Sequence, residues 1–208
     1  MPAGGGPSGR LPAVIDIDVV RARTILARAF TDDPLMVWFF PDERSRPHAV
    51  AALFGLFAER YLAGGRVDVL SRPDPVGVAM WRWPTADESE DAGPEELPTI
   101  GGIMTALMGV ERAMEIGGAM SMLEEHRIPE PHAYLHLLAV DPAAARRGGG
   151  GELLERGLAD ARRDGLAACL ETMNPANVPF YEAHGMTVRH EAALPLGGPT
   201  TWWMATDA

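Results

Sequence analysis

The residues of this chain best suited to chemistry form one run, Leu138-Ala139-Val140-Asp141-Pro142-Ala143-Ala144-Ala145-Arg146-Arg147-Gly148-Gly149-Gly150-Gly151. An apolar stretch ends, Asp-Pro turns the chain, two arginines follow, and four glycines open the next periodic segment. No serine, threonine or glutamate stands before that segment to cap a helix, so the first N–H groups of a helix starting there lack a partner. A bound anion would satisfy them. Glycines let phosphate oxygens approach the main chain closely, while the helix dipole and the arginines supply positive potential. The chemistry to expect is recognition of a pyrophosphate-bearing ligand; the plain alternative is a mobile glycine turn. The run is not a Walker A loop, because no Lys-Ser/Thr follows the glycines. It is a poor dinucleotide fingerprint too, since its glycines come late after the strand and no second Rossmann half is present.

The elements around this run must position it. Residues 134–140 read as a buried strand, the glycine turn leads into a helix with Leu153, Leu154, Leu158 and Ala161 inward, and residues 166–172 read as a second apolar strand. Strand, helix and strand make a βαβ unit, which implies that the two strands run parallel. A short helix around residues 178–183 is closed by Gly185, and residues 200–205 alternate as an edge or hairpin strand with Trp202 and Met204 on one face. Upstream, residues 13–17 read as a short strand, with Asp18 set to cap a helix over 19–30 that Thr31-Asp32-Asp33-Pro34 stops. A second amphipathic helix runs from about residue 43 to 62, with Val50, Leu53, Phe54, Phe57 and Tyr61 facing inward, and ends at Gly64 and Gly65. Val67 and Val69, then Val76, Val78 and Met80, alternate around Arg72-Pro73-Asp74-Pro75 as a hairpin. Residues 84–98 are an acidic, proline-bearing surface loop. Residues 100–125 are helical and Met-rich, broken at Gly117 and Gly118, and serve either core filling or substrate shaping.

The composition sets outer bounds. The chain has 208 residues, 47% of them hydrophobic and 23% charged, which suits one soluble domain. The N-terminal residues 1–11 read as a disordered leader and 12–208 as a single domain. A net charge of −11 repels phosphate backbones and argues against nucleic acid, while it is compatible with a cationic amine. The single cysteine, Cys169, excludes an intrachain disulfide and a cysteine metal cluster, and burial in an apolar strand makes it no nucleophile. No apolar stretch approaches the roughly 20 residues needed to span a bilayer, so the expectation is a cytoplasmic protein without membrane contact. His132 and His136 are four apart, but on a strand that is no metal pair, and no metal is expected. No Gly-x-Ser-x-Gly elbow is present, which argues against serine hydrolase chemistry.

The glycine run resembles the acetyl-CoA binding motif of the GNAT superfamily of acyl-CoA N-acyltransferases: a strand, Val-Asp-Pro, then Gln/Arg-x-x-Gly-x-Gly/Ala, then a helix. Gly148 and Gly150 match its glycines, and Ala145 stands where glutamine or arginine is expected. A second segment, Asn174-Pro175-Ala176-Asn177-Val178-Pro179-Phe180-Tyr181-Glu182-Ala183-His184-Gly185-Met186, is similar to the superfamily's Asn-x-x-Ala/Asn-x-x-Phe-Tyr-x-x-x-Gly-Phe stretch. The overall pattern, including Leu170-Glu171-Thr172, is similar to that of puromycin N-acetyltransferase-like proteins.

The resemblance implies an α/β fold (α+β by some schemes), a single GNAT-like domain. Its mixed central sheet has splayed parallel strands, fourth and fifth in chain order, flanked by helices. Pantetheine would lie in the splay against free backbone groups of the Leu138, Ala139 and Val140 segment, with the Leu138 N–H aimed at the thioester carbonyl. The diphosphate would sit on the N–H groups of Arg146, Arg147, Gly148, Gly149, Gly150 and Gly151, with the two guanidiniums nearby. Tyr181 matches the tyrosine that protonates the departing thiolate, and a phenol of pKa ~10 is a competent donor to it. Asn174 would bond pantetheine or hold the strand end, and Asn177 would cap the helix bearing Tyr181. An amine reaches the site largely protonated, so a base is needed. Tyr134, His136 and Leu138 share a face by alternation, which makes His136 one candidate and Glu171 the other.

The implied activity is transfer of an acetyl group from acetyl-CoA to a primary amine of a small molecule in a ternary complex, by a monomer or homodimer. The acceptor pocket would draw on the Met-rich helices, on Trp38, Phe39 or Phe40, and on Asp32 or Asp33. The alternatives are a non-catalytic acyl-CoA-binding regulatory module of the same fold, kept open by Ala145, and an unrelated phosphate-binding α/β protein.

Overall fold

The computed structural model describes residues 17–84 and 97–207. The leader expected at 1–11, all but the last residue of the strand expected at 13–17, and nearly all of the acidic loop lie outside the described residues. Helix α1 (Val19–Phe30) starts where Asp18 Oδ1 accepts the Arg21 N–H at 2.7 Å, and it turns Ala22, Ile25 and Leu26 inward. The stop at Thr31–Pro34 is followed at once by a further helix, α2 (Pro34–Phe39), which Asp33 caps through the Leu35 N–H. Six residues are too few to show a helical period, so sequence reading passes over it. Helix α3 (Arg46–Gly64) begins later than expected, because the Asp42 carboxylate captures the N–H groups of Arg44 and Ser45 in a turn.

Strands β1 (Arg66–Ser71) and β2 (Pro75–Arg82) form the expected hairpin. The Met-rich region folds as α4 (Ile100–Met108), α5 (Val110–Met120) and α6 (Met122–Glu125). Its breaks fall at Gly109, whose φ is +84°, and at Ser121, not at Gly117 and Gly118, which sit inside α5. Next come β3 (His132–Val140), α7 (Gly149–Arg163), β4 (Ala167–Thr172), α8 (Val178–Glu182), β5 (Thr187–Ala193) and β6 (Thr200–Ala205). Strand β5 escapes a period-2 reading because most of its side chains are exposed on both faces.

The sheet order is β1-β2-β3-β4-β6-β5, antiparallel except for the parallel pair β3–β4. This is the expected mixed α/β sheet, with β3 and β4 as the parallel pair. The terminal strand β6 is no edge: it lies between β4 and β5, and Trp203 and Met204 are buried within the domain. One helical layer, α1 to α5, packs Ile25, Leu26, Leu53 and Phe54 against Val78, Met80, Leu137 and Ala139. The other, α7 and α8, packs Leu153, Leu154, Leu158 and Tyr181 against Ala79, Trp81, Leu135 and Leu170. Helix α7 approaches the sheet so closely at Gly157 that a Cβ there would overlap the Trp81 ring.

One irregularity decides what faces the site. Met80 lies opposite Leu137 and Trp81 opposite Leu135, so His136 is an extra residue, a β-bulge in β3. The faces swap there. Ala133 and Leu135 join the α7 layer, Leu137 and Ala139 join the α1–α3 layer, and Leu138 and Val140 turn to the α7 side. The expected common face of Tyr134, His136 and Leu138 is therefore corrected: Leu138 points opposite to the other two.

Candidate active site

The parallel ladder between β3 and β4 has three rungs, His132–Ala167, Ala133–Ala168 and Tyr134–Cys169. Beyond it the strands run on to Val140 and Thr172 without pairing with each other, which opens a gap in the sheet. The direction of the free backbone groups follows from the other neighbour. Asp141 N–H donates to the Val76 carbonyl at 2.7 Å, so by antiparallel alternation Ala139 and Leu137 also turn their backbone groups to β2. Those of Leu138 and Val140 then face the gap. Ala139, grouped with them in the sequence, offers it nothing: its side chain is also buried among the helices.

At the end of β3, Asp141 is a buried knot. Its Oδ2 accepts from Arg28 Nη1 at 3.2 Å and lies 3.7 Å from Arg21 Nη2, while its Oδ1 accepts the Ala143 N–H at 3.0 Å. This holds a 3₁₀ turn, Pro142–Ala144, that launches the glycine run. Arg146 takes φ +61° and Gly148 φ +76°, both left-handed, which turns the chain sharply into α7. The first backbone bond closing there is Glu152 N–H to the Gly148 carbonyl at 3.1 Å, and no side chain caps the helix. The N–H groups of Gly149, Gly150 and Gly151 therefore form an uncapped helix start, as their sequence predicts. Arg146 and Arg147 are exposed, and among the described residues neither side chain makes an ion pair. Arg72 fixes the turn from β1 by donating to the Arg147 carbonyl at 3.1 Å and to Glu152 Oε2 at 2.8 Å.

Across the gap mouth, Asn174 caps the 3₁₀ turn Pro175–Asn177 by accepting the Ala176 N–H at 3.1 Å. Asn177 stands at the N-cap position of α8, yet its side chain makes no cap; Nδ2 donates to Thr172 Oγ1 at 3.5 Å instead. The reason is its helical backbone conformation, φ −86° and ψ −21°, in place of the extended one a capping side chain needs. Tyr181 is 8% exposed and packs in the α7 layer. Burial, aided by the charge of Asp33, pushes its phenol above its ordinary value, so it stays protonated. Asp33 in turn is raised by burial, which outweighs the Leu35 N–H it accepts.

The two candidate bases lie on the opposite face, and the structure separates them. His136 Nδ1 is 2.9 Å from Tyr61 Oη, and the ring packs edge-on to Phe57 at 4.9 Å. Burial first, then the charges of Arg82 and Arg127, hold this imidazole well below its ordinary value, so it is neutral. Glu171 is not free: Oε1 accepts from Arg127 Nε at 2.9 Å and Oε2 accepts from Tyr134 Oη at 2.6 Å. Cys169 is buried beside them, and its thiol is pushed up to about 12 by burial and then by Glu171, which suits no nucleophile. Arg127, Arg82 and Tyr61 shape this face, and sequence reading missed the first two. Their partners lie far along the chain, and only Tyr61 stood on an inward helical stripe. Among the described residues no cluster of three His, Cys, Asp or Glu side chains could hold a metal, and no helix is long and apolar enough to cross a membrane.

The model of the family described as Acetyltransferase (GNAT) matches residues 71–186, more than half of the chain and all of the gap. A solved Corynebacterium glutamicum protein, histone acetyltransferase HPA2 and related acetyltransferase, superposes with a TM-score of 0.64 at 22% identity over 95% of each chain. A mosquito arylalkylamine N-acetyltransferase (like 5b) gives 0.53 at 15% identity over 90% of this chain and 94% of that one. Arylalkylamine N-acetyltransferase 2 from Aedes aegypti gives 0.54 at 10% identity over 88% and 91%. At these identities the likeness is one of fold.

Proposed function

Because the chain belongs to the GNAT acetyltransferase family, we propose that it transfers the acetyl group of acetyl-CoA to a primary amine of a small molecule, both bound together. The observation that carries this reading is the forked β3–β4 pair, whose open backbone groups at Leu138 and Val140 lead to an uncapped glycine helix start. Pantetheine pairs with those groups, and its diphosphate takes the N–H groups of residues 146–151, with Arg146 and Arg147 beside it. The amine nitrogen attacks the thioester carbon, and negative charge grows on the carbonyl oxygen toward the Leu138 N–H. As the C–S bond breaks, Tyr181 gives its proton to the thiolate and regains one from solvent.

The attacking nitrogen sheds its extra proton to His136, directly or through water, rather than to Glu171, whose two oxygens are occupied. That requires the tautomer in which Nδ1–H donates to Tyr61 Oη and leaves the Nε2 lone pair free. Asn174 and Asn177 keep the end of β4 in place, through their own turn and through Thr172. An acidic surface, net charge −11, favours a cationic acceptor.

The test is a free-thiol release assay with acetyl-CoA against a chemically broad panel of amines, run beside thermal shift. Turnover with at least one amine is expected. Stabilisation by acetyl-CoA with no thiol release from any amine would instead favour a regulatory acyl-CoA-binding module, and stabilisation by nucleotides but not by acetyl-CoA would defeat both.

A further inference from the structure

At the fork itself a cluster of side chains spans both strands, and the transfer reaction gives none of them a part. Arg127 Nη2 donates to Tyr134 Oη at 3.1 Å, which closes a triangle with the two bonds to Glu171. Guanidiniums of Arg127 and Arg82 lie 4.3 and 4.6 Å from the centre of the Tyr134 ring. The Glu171 side chain is 3% exposed and that of Arg127 17%. Burial and the neighbouring carboxylate keep the Tyr134 phenol protonated, so it remains a donor.

The register makes this arrangement informative. Tyr134 pairs with Cys169 as the last rung, and a ladder that continued would set His136 opposite Glu171. Instead Glu171 reaches back to Tyr134, and His136 bulges away to Tyr61 and Phe57. The two strands are thus tied at the point where they part, by a Tyr134–Glu171 bond whose carboxylate is itself held by a largely buried ion pair with Arg127.

We propose that Tyr134, Glu171 and Arg127 are positioning residues that fix the opening of the β3–β4 fork. They thereby set where the acyl end of the cosubstrate rests against the Leu138 N–H. This rests on the acyltransferase reading only for the identity of the ligand. The three residues do not touch the acyl group; they hold the two walls it lies between. A displacement of an ångström at such a site costs on the order of 100-fold in rate.

Two probes separate the fork from the diphosphate end: ADP, which has a diphosphate and no acyl arm, and acetyl-CoA. Tyr134→Phe, Glu171→Gln and their double variant are compared with the parent and with Leu158→Ala, a destabilised control in the α7 layer. In the fork variants ADP should raise Tm as much as in the parent, while the additional rise from acetyl-CoA falls by about half or more. Thiol release should drop about 10- to 100-fold. The double variant should be no worse than the poorer single one, because one bridge is lost in each case. Leu158→Ala should keep the additional rise. An additional rise and a rate equal to the parent's in Glu171→Gln, or an equal loss in Leu158→Ala, overturns the proposal. If acetyl-CoA fails to stabilise the parent, the acyltransferase reading is what fails. Hydrogen exchange over residues 135–140 then decides the fork: faster exchange in Glu171→Gln than in Leu158→Ala supports the tie, and equal exchange refutes it.

Discussion

Arg127 and Arg147 carry the same charge into the neighbourhood of one gap and are treated in opposite ways. Arg127, on the α3–α6 side, is mostly buried and bonded to both Glu171 and Tyr134. Arg147, at the start of α7, is exposed, and only its carbonyl is engaged, by Arg72. One side is complete within the protein and stiff by charge pairing. The other is held by backbone geometry, left-handed at Arg146 and Gly148, and presents donors without acceptors. A site can thus be rigid on both flanks when one pairs its polar side chains with each other and the other, pinned from outside by Arg72 and Asp141, keeps its main-chain donors open.

Tyr181→Phe should break the contrast most severely. It removes a buried phenol of the α7 side and lowers thiol release by about 10²- to 10⁴-fold, while acetyl-CoA still raises Tm. Unchanged turnover would remove Tyr181 from the chemistry. Arg127→Ala strikes the other side and should cost about 3–5 kcal/mol of stability, read by urea unfolding, because Glu171 loses its cation in a buried setting. A third effect is pH-linked. His136 is neutral in the fold and held below the usual imidazole value by burial, Arg82 and Arg127. Unfolding restores that value, so below about pH 6.5 the unfolded chain binds the extra proton and stability falls as pH drops, by at most about 1.4 kcal/mol per pH unit. Thermal melts of the parent at descending pH should show this slope, and His136→Asn should flatten it.

Gly148→Ala forces a side chain into the left-handed region, where it would meet no neighbour, so about 1 kcal/mol of backbone strain is the whole expected loss. A larger fall in Tm would contradict the open space around this turn. Arg147→Ala is the mildest. Stability should stay within about 0.5 kcal/mol of the parent, in contrast to Arg127→Ala, while the Tm rise given by acetyl-CoA shrinks.

The same contrast explains what could be read from the amino-acid order. The α7 side is local: strand, Asp-Pro, arginines, glycines and helix follow one another, and spacing alone announces an uncapped helix start. The Tyr134–Glu171–Arg127 side joins residues 37 and 44 positions apart, which no period or short motif reveals. The bulge at His136 is the other hidden element. Strict alternation put Leu138 beside His136, and a single unpaired residue reversed that. Asn177 looked like a helix cap by type and position, but its backbone conformation sends the side chain to Thr172. The short helix α2 and the exposed strand β5 were missed because neither carries a readable apolar stripe.

Asp141 ties together parts of the chain more than a hundred residues apart, α1 through Arg28 and Arg21, β2 through Val76, and its own turn through Ala143. The N-terminal helix and the glycine turn that starts α7 therefore share one mechanical anchor. Peeling α1 from the sheet would loosen the turn at the far end of β3, and, on the proposed function, a diphosphate seated there would in return hold α1 down. On the proposed function, the amino-terminal third of the molecule is in this way enlisted in stiffening the turn that would take the diphosphate.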